Sequence, residues 1–282
     1  MAYRSQKMKI EFNHIEPHNL LRPYIDKMWV FECSGKLPSD DLKLVVPNGN
    51  IKLSIFSVNG ITAMVNGKSI TSREGSINLT GLVDVPLSLD TEKDIFTETI
   101  GIEFNPKGAY RFFQFNFNEV KNQIYQLDDI LGPVGKQLEE LVINAPSVRG
   151  KIDVVQQFLV KRLMQNNGDL IFEFCVDKII SSKGRIAVKE LEKKTGYSSR
   201  WLNLKFIDKI GVSPKNLSSI IRFSEYYRAF TSENSKEIFR NEFYDHYYDQ
   251  SHFIKNFKHY TGLLPSGIER SSNDFGRKFY QV

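Results

Sequence analysis

The chain has 282 residues, 41% hydrophobic and 25% charged, with a formal net charge of +5. This is a globular composition of about two domains; it contains no run of about 18 apolar residues, which argues against a membrane span, and no apolar core of a secretory signal at its start. Cys33 and Cys175 lie far apart without a CxxC spacing, which argues against a disulfide framework or zinc ribbon and makes the cytoplasm the expected compartment. The charge is uneven. Residues 1–168 carry 19 basic and 19 acidic side chains, whereas residues 169–282 carry 19 and 14. A basic C-terminal part points to a polyanionic partner.

Taken in chain order, the spacing of Leu20, Leu21, Tyr24, Ile25 and Met28 predicts an amphipathic helix. From Leu42 to Phe104 the sequence turns β-rich: "LKLVV", "NIKLSIFSV", "ITAMV", "SINLTGL" and "TETIGIEF" read as short strands. The pairs Asn48-Gly49, Asn59-Gly60 and Asn66-Gly67 supply the positive φ of tight turns. An antiparallel sandwich or barrel is expected. After Pro106 the strand signals fade. "VGKQLEELVINA" and "GKIDVVQQFLVKRLMQ" have helical spacing, and from Asp169 onward nearly everything reads as helix. The polar stretch "QNNGD", 165–169, is the expected boundary.

Three of the five histidines, His246, His252 and His259, fall within "DHYYDQSHFIKNFKHYTG". On one helix His252 and His259 share a face but stand about 10 Å apart along the axis. Zinc chelation favours an i, i+4 pair, so a metal site is not expected. The stretch makes better sense as a repeat. "GYSSRWLNLKFIDKIGVSP" (196–214) aligns with "YYDQSHFIKNFKHYTGLLP" (247–265). Ser198 meets Asp249, Leu202 meets Phe253, Phe206 meets Phe257, Gly211 meets Gly262 and Pro214 meets Pro265. Each copy reads as an N-capped helix with an i, i+4 apolar stripe, a glycine stop and a following proline.

A shorter helix, "IAVKELEKKTG", precedes the first copy, with Ile186, Val188 and Leu191 apolar and a glycine turn at Gly196. Two helices joined by a tight turn form a helix-turn-helix, and two such units separated by "PKNLSSIIRFSEYYRAF" form a bipartite reader. The sequence "GYSSRWLNLKF…GVSPK…IIRF" followed by "YYDQSHFIKNFKHYTGLLPS" resembles the C-terminal DNA-binding domain of the AraC/XylS family of bacterial transcription regulators. The resemblance covers roughly 170–270. "VPNGNIKLSIF" and "GIEFNPKGAYRFF" are more loosely similar to the regulatory domain of one subgroup.

The resemblance implies an α+β multidomain fold. A cupin-like antiparallel β-barrel or sandwich with helices occupies 1–125, a helical connector 126–168, an all-α double helix-turn-helix domain 169–271, and a tail 272–282. It implies a cytoplasmic activator-type transcription regulator without enzymatic activity or cofactor. Its partners would be double-stranded DNA, RNA polymerase, a small-molecule effector and a second copy of the chain. By position, Arg200, Asn203 and Leu204 on the first recognition helix match the family's base-reading sites, as do Gln250, Ser251, Ile254 and Lys255 on the second. Arg200 suits guanine, Asn203 adenine and Leu204 a thymine methyl. Lys205, Lys209, His252 and Lys258 are expected near phosphates. Leu191, Leu202, Phe206, Phe253 and Phe257 form the expected helix-turn-helix core.

Two departures stand out. Leu204 replaces a commonly basic residue, which favours A·T-rich contacts in the first half-site. In the second unit Glu242 and His246 stand where a small alanine and the turn glycine are usual. A left-handed His246 costs about 1 kcal/mol, so that unit is expected to add affinity more than specificity. A cupin-type metalloenzyme needs histidines on its strands, and none occurs between His18 and His246. Cys33 stands alone, without the cysteine cluster of a repair methyltransferase. No Walker loop, GxGxxG or GxSxG is present. The alternative to a controlled regulator is a β-domain that only dimerises, beside a basic helical domain with little sequence preference.

Overall fold

The computed structural model describes residues 9–91, 95–231, 250–269 and 271–281. Among the described residues the N-terminal half holds ten strands: β1 (Lys9–His14), β2 (Ile25–Ser34), β3 (Leu44–Val45), β4 (Ile51–Val58), β5 (Thr62–Val65), β6 (Lys68–Thr71), β7 (Ile77–Thr80), β8 (Leu87–Asp90), β9 (Phe96–Phe104) and β10 (Ile124–Gln126). They form two antiparallel sheets, one in the order β1-β2-β9-β4-β7-β10 and the other β3-β8-β5-β6. Helix α1 (Ala109–Phe112) lies between β9 and β10, and after β10 come α2 (Leu127–Leu131), α3 (Pro133–Ile143), α4 (Val148–Gln165), α5 (Leu170–Ser181), α6 (Val188–Thr195), α7 (Ser199–Ile210), α8 (Pro214–Thr231), α9 (Gln250–Thr261), α10 (Pro265–Glu269) and α11 (Asp274–Gln281). An antiparallel β half leading into a helical half is the fold class expected.

The inner strands β2, β9, β4 and β7 of the six-stranded sheet are largely buried on both faces, which explains their long apolar runs. On β2, Met28 and Val30 point outward into a core shared with the helices. Trp29, Phe31 and Cys33 point inward to the second sheet, where they meet Val45, Ala63, Val65 and Leu87. The outer core continues without a break from Leu53 and Ile102 of the sheet to Leu159, Phe206 and Phe257 of the helices.

The helix expected around Leu20–Met28 is replaced by a turn over 19–24 and the ten-residue strand β2. Pro23 interrupts the helical hydrogen-bond pattern. Of the five apolar residues, Leu20, Leu21 and Tyr24 belong to the turn and only Ile25 and Met28 to β2, so their helical spacing runs across two elements. Of the three Asn-Gly pairs, Asn66-Gly67 makes the two-residue turn, with φ of 51° and 73° between paired Val65 and Lys68. Asn59 and Gly49 are also left-handed, at 52° and 86°, but in longer connections.

Candidate nucleic-acid interface

The first helix-turn-helix is α6 and α7. Gly196 ends α6 in the left-handed conformation, φ 76°, so the chain reverses without a Cβ penalty. Ser198 caps α7, its hydroxyl accepting from the Trp201 N–H at 3.3 Å. Gly211, φ 85°, stops it. Leu191, Leu202 and Phe206 are fully buried, and Phe206 meets Phe172 of α5 edge-on at 4.8 Å between ring centroids. This leaves the opposite face of α7 outward: Arg200 is exposed, Asn203 half-buried, and Leu204 63% exposed. Trp201 stacks on Tyr197 at 4.0 Å, and the Lys205 ammonium lies 4.6 Å above its ring.

In the second copy, α9 buries Phe253 and Phe257, with exposures of 3% and 0%. Gly262 ends it at φ 76°, so both copies share one type of stop. Gln250, Ser251, His252, Lys255 and Lys258 are exposed, and Ile254 is half-buried. The predicted leading helix of this unit, with Glu242, His246 and the Asp249 cap, lies outside the described residues. The linking helix α8 joins the copies. Its Ser219 hydroxyl pairs with the Tyr260 hydroxyl at 3.0 Å and accepts from the Asn256 amide at 3.3 Å, while Phe223 and Tyr226 meet Phe257 and Phe253. Eighteen helical residues span about 27 Å, against the roughly 34 Å between successive groove segments on one side of B-DNA.

The four residues expected near phosphates divide. His252 and Lys258 stand at the surface of α9. Lys205 is instead turned inward, donating to the Asp169 carboxylate at 2.6 Å, and Lys209 lies 3.4 Å from Asp208 and 5.4 Å from the Tyr110 ring centroid. Asp169 is also the N-cap of α5, accepting from the Phe172 N–H at 3.1 Å. Burial opposes its charge, but the Lys205 ammonium and the Phe172 N–H hold its carboxyl below the ordinary value. A carboxylate with a depressed folded pKa adds stability above its unfolded pKa, near 3.9, and loses it as pH falls through the folded value. Asp169→Asn keeps a capping oxygen without the charge. It is expected to cost about 1–2 kcal/mol at neutral pH, with the gap to the wild-type chain closing below about pH 4. Urea unfolding over a pH series checks this; parallel stability curves would contradict it.

Several groups that organise this interface carried no recognisable signal in the sequence. Tyr110 of α1 donates its hydroxyl proton to Glu173 of α5 and accepts from the Asp169 N–H at 2.9 Å. Burial, with Glu173 beside it, pushes the Tyr110 phenol up. Arg111 donates to Glu173 at 3.2 Å, to the Tyr24 hydroxyl at 2.5 Å and to the Asn166 carbonyl at 3.2 Å. The β half therefore reaches α7 through a chain of polar contacts: Tyr110, Asp169, Lys205. A single-turn 3-10 segment, Phe117–Val120, packs directly on α7; a Cβ on Gly211 would lie 2.8 Å from the Phe117 carbonyl. At the other copy, Leu263 joins Leu42, Leu44, Met64 and Pro86 around a cavity of about 300 Å³ between α9 and the four-stranded sheet.

Among the described residues, no helix is long and apolar enough to cross a membrane. A family profile described as a domain of unknown function (DUF6597) matches residues 13–126. No curated protein matches the chain significantly. Among solved structures, ToxT from Vibrio cholerae O395 bound to (E)-4-(8-methylnaphthalen-1-yl)but-3-enoic acid is 13% identical with a TM-score of 0.44, over 93% of this chain and 98% of that one. Unsaturated fatty acid bound ToxT from V. cholerae strain SCE256 is 14% identical with a TM-score of 0.42, over 95% and 96%. The Schizosaccharomyces pombe Cnp3 cupin domain is 12% identical with a TM-score of 0.26, over 37% and 72%.

Proposed function

We propose that the chain is a DNA-binding transcription regulator of the AraC/XylS type, reading two successive major-groove half-sites and controlled through its β half. The observation that carries this reading is the repeat of α7 and α9. Each helix is seated by an aromatic or aliphatic i, i+4 stripe, each is stopped by a left-handed glycine, and the two are held on one linking helix. Each turns polar and basic side chains outward. In this reading Arg200, Asn203, Leu204, Gln250, Ser251, Ile254 and Lys255 face base edges, and His252 and Lys258 lie along phosphates. Lys205 serves α5 first and reaches a phosphate only by leaving Asp169.

Selection of bound genomic fragments with the purified chain, beside an Arg200→Ala chain, tests the proposal. The expected result is a recurring pair of half-sites one helical turn apart. Arg200→Ala should weaken binding about 10- to 100-fold and relax one position of the first half-site. Affinity should fall at least about tenfold between about 50 and 200 mM salt. Binding without sequence preference, unchanged by Arg200→Ala, would reject the two-headed reader in favour of a basic domain with a dimerising β half.

A further inference from the structure

Helix α11 has eight residues with apolar side chains four apart at Phe275 and Phe279. Both are buried in the cluster between the two sheets. Asp274, Arg277 and Lys278 are exposed. Phe279 stands edge-on to Trp29 at 5.5 Å, Phe275 edge-on to Phe31 at 5.8 Å, and Phe12 meets both at 5.9 and 6.1 Å. A helix that follows both recognition helices thus completes a core laid down by β1, β2 and β4, more than 200 positions earlier.

A two-turn helix does not hold its shape alone in water, so α11 depends on this seat. Backbone contacts reinforce it. Asp41 and Ser272 form a parallel bridge, with the Leu42 N–H donating to the Ser272 carbonyl at 2.9 Å. The Asp41 carboxylate accepts from the Phe275 N–H at 3.1 Å. Gly276 lies so close to β3 that a Cβ would stand 2.3 Å from the Leu44 carbonyl oxygen. Asn273 is buried and works in two directions. Its oxygen accepts from the Leu44 N–H at 2.8 Å, while its nitrogen donates to the Leu44 carbonyl at 3.1 Å and to the Tyr227 hydroxyl of α8 at 3.2 Å. Tyr227 is buried as well, and its ring meets Phe223 of α8 at 5.9 Å and Phe257 of α9 at 6.5 Å. Phe257 is the fully buried residue that seats α9. A continuous run therefore joins the interior of the β half to α9: Phe275 and Phe279, Asn273, Tyr227, Phe257. The approach of α9 to the β half at Leu263 surrounds a cavity of about 300 Å³ instead. Helix α7 is tied separately, through Tyr110, Asp169 and Lys205.

We propose that α11 is an internal strap that holds the second recognition helix to the β half, so that the packing between the two sheets sets how firmly α9 reads its half-site. Phe275 and Phe279 anchor one end of the strap. The Asn273 amide clips the other end to Tyr227. While the strap is seated, Tyr227 is fixed and Phe257 rests on a rigid floor. When the two phenylalanines leave the sheets, Asn273 leaves with them, its donor is withdrawn from the Tyr227 hydroxyl, and the floor under α9 loosens. The effect stays with the second reader, because α7 packs on Phe172 and on the segment Phe117–Val120. The consequence for half-site reading rests on the DNA-binding proposal above; the strap itself does not.

The test uses the full chain with three substitutions along the run: Phe279→Ala at the seat, Asn273→Ala at the clip, and Tyr227→Phe, which removes only the hydroxyl that the clip holds. Amide exchange is measured first. Each variant should speed exchange over residues 223–231 of α8 and over Gln250–Thr261, by at least about tenfold for Phe279→Ala and Asn273→Ala, with Ser199–Ile210 unchanged. Binding is measured second, on a selected duplex with both half-sites and on duplexes with either one scrambled. Each variant should bind the intact duplex at least about fivefold more weakly. It should lose most of the penalty for scrambling the second half-site and keep the penalty for the first. Unchanged exchange over α9 in folded variants, or equal loosening of α7 and α9, would overturn the strap. Equal weakening at both half-sites would overturn its link to the second reader. A wild-type chain without sequence preference would reject the DNA-reading proposal instead, and the exchange result alone then decides the strap. If Asn273→Ala does not fold, Tyr227→Phe and Phe279→Ala decide.

Discussion

Phe206→Ala is expected to destabilise the protein by about 3–5 kcal/mol. Phe206 is fully buried on α7, between Leu202 and Ile210, with its ring against Phe172. Its removal leaves a cavity where α7, α5 and the outer core of the sheet converge, and rigid neighbours fill it only in part. Because the core is continuous, the loss should appear as a single lowered unfolding transition rather than a local change. Leu204→Ala, two residues away but 63% exposed, should change stability by less than about 0.5 kcal/mol. Urea unfolding of both variants separates the inner from the outer face of α7. A Phe206→Ala cost under about 1 kcal/mol, or equal costs for the two, would contradict this seating.

Glu173→Ala is expected to cost about 2–3 kcal/mol, below the figure for a fully buried pair, because the Glu173 and Arg111 side chains keep 19% and 12% of their exposure. The carboxylate receives Tyr110 and Arg111 together. Its removal leaves the Arg111 guanidinium beside the Tyr24 ring, 4.7 Å from the centroid, with only neutral acceptors. The consequence should extend beyond stability. Tyr110 also holds the Asp169 N–H, and Asp169 holds Lys205 on α7, so α7 should loosen where it meets the β half. Amide exchange is the measurement: faster exchange at Leu170–Ser181 and the start of α7, with strand β9 unchanged, is expected. Tyr110→Phe, which keeps the ring and the Glu173–Arg111 pair, should cost about 1 kcal/mol. Equal effects of the two substitutions would place the stability in the tyrosine hydroxyl rather than in the ion pair.

Much of the helical half was legible because its signals are local. Ser198, Gly196 and Gly211 act on the backbone within one or two turns, and Leu202/Phe206 and Phe253/Phe257 repeat at the helical period. The β half was half legible. Strands β4, β5, β7 and β9 were visible as β-branched runs beside turn pairs. β1, β6, β8 and β10 are mostly half-buried or exposed and mix polar with apolar residues, and the helical spacing of Leu20 to Met28 spans a turn and the start of β2, where Pro23 and pairing with β1 and β9 override it.

The sequence by itself determined the capped start of α7, the glycine stops of α6, α7 and α9, the repeat, and which face of α7 and α9 is apolar, since each depends on residues a few positions apart. Only the tertiary structure decided what those faces meet. It turned Lys205 to Asp169, linked Tyr110 to Glu173, and brought Phe275 and Phe279 between two sheets laid down at the other end of the chain. These are pairings over 36 to more than 200 positions. A charged or aromatic side chain in a sequence announces that it needs a partner, but which partner it finds depends on how the sheets and helices close around it.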